Sequence, residues 1–142
     1  MEQNLNARNT SPNMTIIHIV LGKCKPDITQ EQKNELVREI KSLKVQPCVK
    51  DGRLMGGPSL STPEERNKGY EFAFVSYHEN LAALENYQST KEYHRITTTF
   101  VFPLTEDVCS FNFAVDPEDE YMCAFNPLPL LARDVLGKEQ KQ

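Results

Sequence analysis

The chain has 142 residues, of which 39% are hydrophobic, 8% aromatic and 25% charged, as in an ordinary globular domain. Its length fits one domain with tails, and its longest apolar run is too short to span a membrane. The net charge of −4 excludes a general nucleic-acid binder, which needs a basic face, and a basic membrane-surface protein. Four cysteines occur without an apolar secretory segment before them, which predicts free thiols and a cytoplasmic protein.

The start of the chain divides into a polar arm and a strand. Residues 1–14 are rich in Asn and have little to bury, so we expect a disordered arm. Residues 15–24 form a β-branched run of strand length. Alternate residues share a face, so Ile16 and His18 lie on one side and Ile17 on the other. Both faces are mostly apolar, which predicts that both are covered.

An amphipathic helix follows this strand. Thr29 and Gln32 have the spacing of a capping box, in which Thr29 is the N-cap. Leu36 and Ile40 then recur at helical spacing. We expect this helix to end before Pro47.

The middle of the chain contains two strand signals and a short helix. A turn and a short strand are predicted within residues 47–57. Residues 70–77 form a second strong strand, with Phe72 and Phe74 on one face. Residues 80–87 have the spacing of a short helix.

The last part of the domain pattern is a helix and a strand. Residues 91–100 are helix-like at first and then β-branched, and residues 108–115 form the last clear strand. The order is therefore strand, helix, strand, strand, helix, helix, strand. This order predicts a ferredoxin-like α+β protomer, with helices on one face of an antiparallel four-stranded sheet.

Residues 116–142 lie beyond this pattern. They begin with an acidic linker, residues 116–120, and continue with an apolar, Pro-containing stretch. That stretch is too apolar for a solvated tail, so we expect it to pack on the domain or on a second subunit. The residues expected to be buried are Tyr121, Phe125, Leu128 and Leu131.

Several short motifs stand in an order and spacing that are similar to one known family. They are His18-Ile19-Val20-Leu21 with Lys23 and Lys25, Pro26-Asp27-Ile28-Thr29, Gly57-Pro58, Lys68-Gly69-Tyr70, Leu84-Glu85-Asn86-Tyr87, Tyr93-His94, Phe102-Pro103-Leu104 and Phe111-Asn112-Phe113-Ala114-Val115. Together they resemble the Dabb family, the stress-responsive dimeric α/β-barrel domain. The resemblance covers the domain predicted for residues 15–115 and neither tail.

The resemblance implies an assembly and a class of function. Members pair the sheets of two ferredoxin-like protomers into a dimeric α/β barrel, so a homodimer is expected. Some members are polyketide cyclases that perform aldol-type ring closure in a pocket between sheet and helices. Relatives with the same general fold include monooxygenases that act on polycyclic aromatic substrates and need no metal or flavin. The acidic residues of this chain also lack metal-ligand spacing, so no metal and no cofactor are predicted.

The resemblance also implies candidate catalytic residues. In cyclase-like members a His at the position of His18 belongs to the active site, and Tyr87 aligns with the pocket Tyr of the cyclases. Those members carry a further catalytic His shortly after this Tyr. Read without a gap, the chain has Tyr93 at that position and His94 one residue later, so both are candidates.

The expected chemistry needs a base and a hydrogen-bond donor. A His with an ordinary pKa of about 6.5 suits the base, and a Tyr hydroxyl suits the donor that polarises the attacked carbonyl. Ile16, Phe72 and Phe74 are the candidate substrate contacts. Some cyclases have a polar His where this chain has Phe72. The pocket wall of this chain is therefore expected to be drier and more aromatic, which favours an apolar or aromatic small-molecule ligand.

The leading hypothesis is a small-molecule enzyme of the polyketide-cyclase type. One alternative is a non-catalytic stress-responsive or ligand-binding protein of the same fold. A third is a cofactor-free monooxygenase. A cyclase needs His and Tyr side chains together in a closed pocket, a binding protein needs only the pocket, and a monooxygenase consumes oxygen.

Overall fold

The computed structural model describes residues 14–61 and 64–123. In chain order the main elements are β1 (Ile16–Cys24), α1 (Gln30–Lys41), β2 (Leu54–Pro58), β3 (Phe72–His78), α2 (Leu81–Ser89), α3 (Lys91–Ile96), α4 (Phe102–Leu104) and β4 (Thr105–Ala114). No helix within the described ranges is both long and apolar enough to cross a membrane. The predicted N-terminal arm lies outside the described residues, except for Met14.

The four strands form one antiparallel sheet in the order β2-β3-β1-β4. β1 is a central strand, and its His18 lies opposite Ser76 of β3 and Asn112 of β4. This strand order is that of a ferredoxin-like fold. The predicted ferredoxin-like α+β protomer is therefore confirmed.

Helix α1 begins and ends for local reasons. Thr29 is its N-cap: its hydroxyl accepts a hydrogen bond from the backbone N–H of Gln32, and the Gln32 side chain accepts one from the Thr29 N–H. This is the predicted capping box. Leu36 on the inner face is completely buried, and a 3₁₀ turn, Ser42–Val45, follows the helix.

The helical segment after α2 is longer than predicted. The β-branched residues after α3 do not leave the helix but form one turn of π-helix, Thr97–Val101, which leads into α4. The hydroxyls of Thr97 and Thr98 donate to the His94 carbonyl, at 3.1 and 2.8 Å. The same carbonyl also accepts from the Thr97 backbone N–H, so the two hydroxyls add to a backbone bond at the end of α3.

The two faces of the sheet differ in how they are covered. The face toward the helices is buried, and its β1 and β3 residues pack against Leu36, Leu84 and Ile96 in one apolar core. On the opposite face, Phe111 is 63% exposed and Phe113 is 42% exposed. The described chain therefore covers only one of the two apolar faces.

The first residues of the C-terminal extension contact the domain. Glu120 accepts hydrogen bonds from the Thr15 backbone N–H at 3.1 Å and from the Thr15 hydroxyl, and Arg53 donates to the Cys123 carbonyl at 2.8 Å. Cys123 is buried, whereas Tyr121 is 75% exposed. Tyr121 does not pack on its own domain, because its neighbours in and after the 3₁₀ turn Pro117–Met122 make the contacts. Its burial against a second subunit stays a prediction. The other residues of that prediction, Phe125, Leu128 and Leu131, lie outside the described residues.

Candidate active site

A cavity of about 150 Å³ lies between the covered face of the sheet and the helices. Its wall is mainly apolar, with a few hydroxyl and imidazole groups. The lining residues are His18, Val20, Ile40, Leu43, Leu54, Phe72, Phe74, Ser76, Tyr87, Tyr93, Ile96, Thr97, Val101, Phe102, Val108 and Ser110. Phe102 and Val108 are partly solvent-exposed, which places the mouth between α4 and β4. A small apolar cavity with few polar groups is typical of a ligand site.

His18 is a buried imidazole with one nitrogen held and one open. Its Nδ1 lies 2.5 Å from the amide oxygen of Asn112. Because an amide oxygen only accepts, Nδ1 carries the proton and Nε2 presents a lone pair. No hydrogen-bond partner of Nε2 occurs in the part of the chain that the structure describes. Burial lowers the pKa of His18 against the opposing effect of the Asn112 hydrogen bond, so the ring is neutral at pH 7 and suited to act as a base.

A second imidazole, His78, lies behind the cavity wall. Its Nδ1 donates to the Cys48 carbonyl at 2.7 Å, and its Nε2 lies 2.8 Å from the hydroxyl of Ser76, which lines the cavity. Burial lowers the pKa of His78 to about 4, and nearby His18 acts in the same direction. The ring is therefore neutral and completely enclosed.

The position of His78 differs from the interpretation that its sequence context favours. A His between a strand and a helix is typical of an exposed or capping residue, but β3 continues through His78 and the two-residue period turns its side chain inward. The N-cap of α2 is Asn80, whose side chain accepts from the Ala83 N–H at 2.8 Å.

Two tyrosines from the helix layer complete the polar part of the cavity. The Tyr87 ring centroid lies 4.8 Å from that of His78, 6.1 Å from that of His18 and 5.0 Å from that of Tyr93. Burial raises the pKa of both tyrosines. Their hydroxyls therefore stay protonated at neutral pH and can donate hydrogen bonds to a ligand.

The structure separates the other predicted site residues. Phe72 and Phe74 line the cavity with ring centroids 5.5 Å apart. Ile16, the first residue of β1, is buried in the core but does not line the cavity. His94 is exposed and lies outside the lining, whereas Tyr93 is part of it. One residue along a helix rotates the side chain by about 100°, so only one of the two can face the sheet.

Sequence reasoning did not predict the residues that orient the polar groups of the site, which are Ser76, Asn112 and His78. Ser76 shares a strand face with Phe72 and Phe74, and the period of two would have found it. The same period places His78 on this face once β3 continues through it. The roles of His78 and Asn112 have no such signal, because they depend on which carbonyl or side chain lies across a neighbouring element. Sequence spacing within one element does not contain that information.

The thiols and carboxylates of the described residues do not form a metal-type cluster. Within residues 14–61 and 64–123, no three His, Cys, Asp or Glu side chains are grouped as ligands for an ion. All four cysteines are free. Burial raises the pKa of Cys24 and Cys48, which keeps these two as neutral thiols.

One protein-family model matches most of the chain. The Dabb model, described as the stress responsive A/B barrel domain, matches residues 16–115. These residues contain all four strands and the cavity. No curated protein matches the chain.

Solved structures of similar fold come from plants and bacteria. A hydroxynitrile lyase from Passiflora edulis is 22% identical with a TM-score of 0.65, over 75% of this chain and 97% of that one. A dimeric ferredoxin-like protein of unknown function from Thermobifida fusca is 21% identical with a TM-score of 0.63, over 81% and 100%. A Dabb family protein from Mesorhizobium loti is 15% identical with a TM-score of 0.62, over 72% and 98%. At these identities the likeness shows the fold.

Proposed function

Since the chain belongs to the Dabb family of stress-responsive A/B barrel domains, we propose that it is a small-molecule enzyme of the polyketide-cyclase type. The observation that carries the proposal is the state of His18. Its Nδ1–H is held by Asn112, so its basic nitrogen is available in a cavity that Tyr87 and Tyr93 also line. Aldol-type chemistry requires a positioned general base and a hydrogen-bond donor for the attacked carbonyl.

The steps follow from these groups. His18 Nε2 removes the acidic proton of a 1,3-dicarbonyl unit, from its central carbon or from the oxygen of its enol form, and the electron pair of the broken bond remains in the enolate. The enolate carbon attacks a distant carbonyl of the same chain, forming the C–C bond while the C=O electrons become an alkoxide. Tyr87 or Tyr93 donates a hydrogen bond to this oxygen, and protonated His18 returns the proton to it. The new hydroxyl then leaves as water with a proton from the neighbouring carbon, and enolisation of the remaining carbonyls gives the aromatic ring. The enclosed cavity holds the chain folded, which favours ring closure by proximity.

The size and lining of the cavity support a small apolar or aromatic substrate. A dry cavity of about 150 Å³ holds a molecule of the size of benzene, and this cavity has that volume. Phe72 and Phe74 form an aromatic wall with no polar group of their own. One six-membered ring formed from a short poly-keto chain fits this space, and the rest of the chain would extend through the mouth between α4 and β4.

The one-ring volume also favours a second candidate, the cleavage of an α-hydroxynitrile. The Passiflora edulis neighbour is named as a hydroxynitrile lyase. In that reaction His18 would take the hydroxyl proton, a carbonyl would form, and cyanide would leave with the electrons of the broken C–C bond and take up a proton. The base is the same, and the bond that changes is different.

Turnover of a defined substrate tests the proposal. The methyl ester of 3,5,7-trioxooctanoic acid closes to one aromatic ring with loss of water, and liquid chromatography with mass spectrometry detects the product. We expect His18→Ala to lower the rate by about 10²–10⁴-fold, with little change in stability. His94→Ala is the matched control, since His94 is exposed and outside the cavity, and its rate should match that of the unmodified protein.

The same assay separates the other functions. An unchanged rate in His18→Ala contradicts the role of this residue. Binding of the ester without any product identifies a ligand-binding protein. Release of cyanide from mandelonitrile identifies the lyase, and consumption of oxygen identifies a monooxygenase.

We also propose a homodimer that covers the open face of the sheet. Ile17, Ile19 and Val75 line that face beside the exposed rings of Phe111 and Phe113. A contiguous apolar face of this kind is typical of an interface. The Thermobifida fusca neighbour is described as dimeric, and a two-fold pairing of sheets would bury the face on both protomers.

A further inference from the structure

The direction of each hydrogen bond behind the cavity wall is determined by its partners. The Cys48 carbonyl can only accept, so the proton of His78 is on Nδ1. A neutral imidazole has a single N–H, and His78 Nε2 is therefore an acceptor. Ser76 must give its only hydroxyl proton to Nε2, 2.8 Å away.

This chain of bonds leaves Ser76 with only lone pairs for the cavity. The hydroxyl lines the cavity, but its proton points away from it, toward His78. His78 is fully enclosed, so no water competes for its nitrogen. Ser76 differs in this respect from a free serine, which can turn to donate or accept.

His18, on the neighbouring strand, also presents only a lone pair to the cavity. Asn112 takes the Nδ1 proton, and Nε2 presents a lone pair. His18 and Ser76 are direct partners across β1 and β3, and both line the cavity. Two acceptors thus stand side by side on the sheet, in a cavity that Tyr87 and Tyr93 line from the helix layer.

We propose that His18 and Ser76 form a two-acceptor site that selects ligands carrying an O–H group, so that the substrate binds as an enol rather than as a simple ketone. The class of substrate rests on the proposed function: an enolised 1,3-dicarbonyl compound has both an O–H for this site and a carbonyl for the tyrosines. A ligand with acceptors alone places lone pairs against lone pairs. It leaves buried groups without partners, and such a mismatch discriminates strongly between ligands.

Two probes of nearly equal shape test the selection without turnover. Phenol carries the O–H, and toluene has a methyl group in its place. We expect Ser76→Ala to weaken phenol binding about tenfold and to leave toluene binding within about twofold, as measured by NMR titration. Ser89→Ala is the control, because Ser89 is exposed, lies outside the cavity lining and should change neither affinity. Phenol binding that survives Ser76→Ala overturns the inference.

A second measurement uses the unmodified protein. With ¹⁵N-labelled histidine, the nitrogen shifts and couplings of His78 report which ring nitrogen carries the proton. We expect the proton on Nδ1, and a proton on Nε2 overturns the inference. Failure of the triketone assay with phenol selection intact refutes only the cyclase, and loss of selection with turnover intact refutes only the two-acceptor site.

Discussion

At the scale of single residues, His18 and His78 show how one side chain takes two roles. Burial lowers the pKa of both rings, so both are neutral at pH 7. His78 uses both nitrogens within the protein, on the Cys48 carbonyl and the Ser76 hydroxyl. His18 uses only Nδ1, on Asn112. This difference in partners is the reason that we propose His18 as the base and His78 as a positioning residue.

The pKa of His78 predicts a loss of stability in mild acid. Its pKa is about 4 in the folded protein, against 6.5 for an unperturbed histidine. Between these values the unfolded chain binds the extra proton, so the free energy of unfolding falls as the pH drops from 6.5 toward 4. The loss is at most about 3 kcal/mol for this group, and His18 contributes in the same direction. Urea unfolding at pH 7 and pH 4.5 measures it.

Two variants separate this contribution from the titration of carboxylates. His78→Gln removes the titrating ring and should flatten the dependence on pH. His94→Ala removes an exposed histidine and should leave the dependence unchanged. If His78→Gln loses as much free energy between the two pH values as the unmodified protein does, the buried ring does not cause the effect.

At the scale of elements, the contact between β1 and β3 shapes the cavity. The Phe72 ring lies directly over Gly22, its partner across the strands, and a Cβ on Gly22 would stand 2.2 Å from Phe72 Cζ. The missing side chain therefore lets Phe72 lie where it forms the cavity wall. Gly22 has no positive φ, so space rather than backbone conformation requires the glycine.

Gly22→Ala should destabilise the protein by about 1–3 kcal/mol, as overpacking of a core does. It should also weaken toluene binding, because Phe72 must move into the cavity. Gly57→Ala is the matched control, since no atom lies within 4 Å of a Cβ there. Calorimetry and the NMR titration measure the two effects, and equal stability of the two variants contradicts this account of Phe72.

The anchored start of the C-terminal extension is a second feature at this scale. Glu120 binds both the backbone N–H and the hydroxyl of Thr15, which is 1% exposed and also accepts from Lys50 at 2.9 Å. Truncation after Val115 leaves this N–H without its partner and should lower the melting temperature by several degrees. Truncation after Cys123 keeps the contacts and should lower it less. A Val115 truncation as stable as the full chain shows that the extension contributes nothing.

At the scale of the whole molecule, the open sheet face predicts the oligomeric state. Light scattering should give twice the chain mass of 16.2 kDa at micromolar concentration. Phe111→Asp should shift the mass toward that of one chain, because it places a charge in the proposed interface. Phe102→Asp is the control, since Phe102 is similarly exposed, at 61%, but lies at the cavity mouth on the helix side. A single-chain mass for the unmodified protein rules out the dimer.

Local patterns in the amino-acid sequence were sufficient for the order of elements, the capping box at Thr29 and the grouping of His18 with Ile16 on one strand face. These features depend on neighbours a few residues apart. Only the tertiary structure decided that this face is the one beneath the helices, that Tyr93 rather than His94 lines the cavity, and that Asn112 orients His18. Each of these depends on strand register or helix rotation, where one residue of shift changes the side chain's surroundings completely. The role of His78 has the same origin, because its partner is a backbone carbonyl 30 residues away in sequence, and no spacing within β3 indicates it.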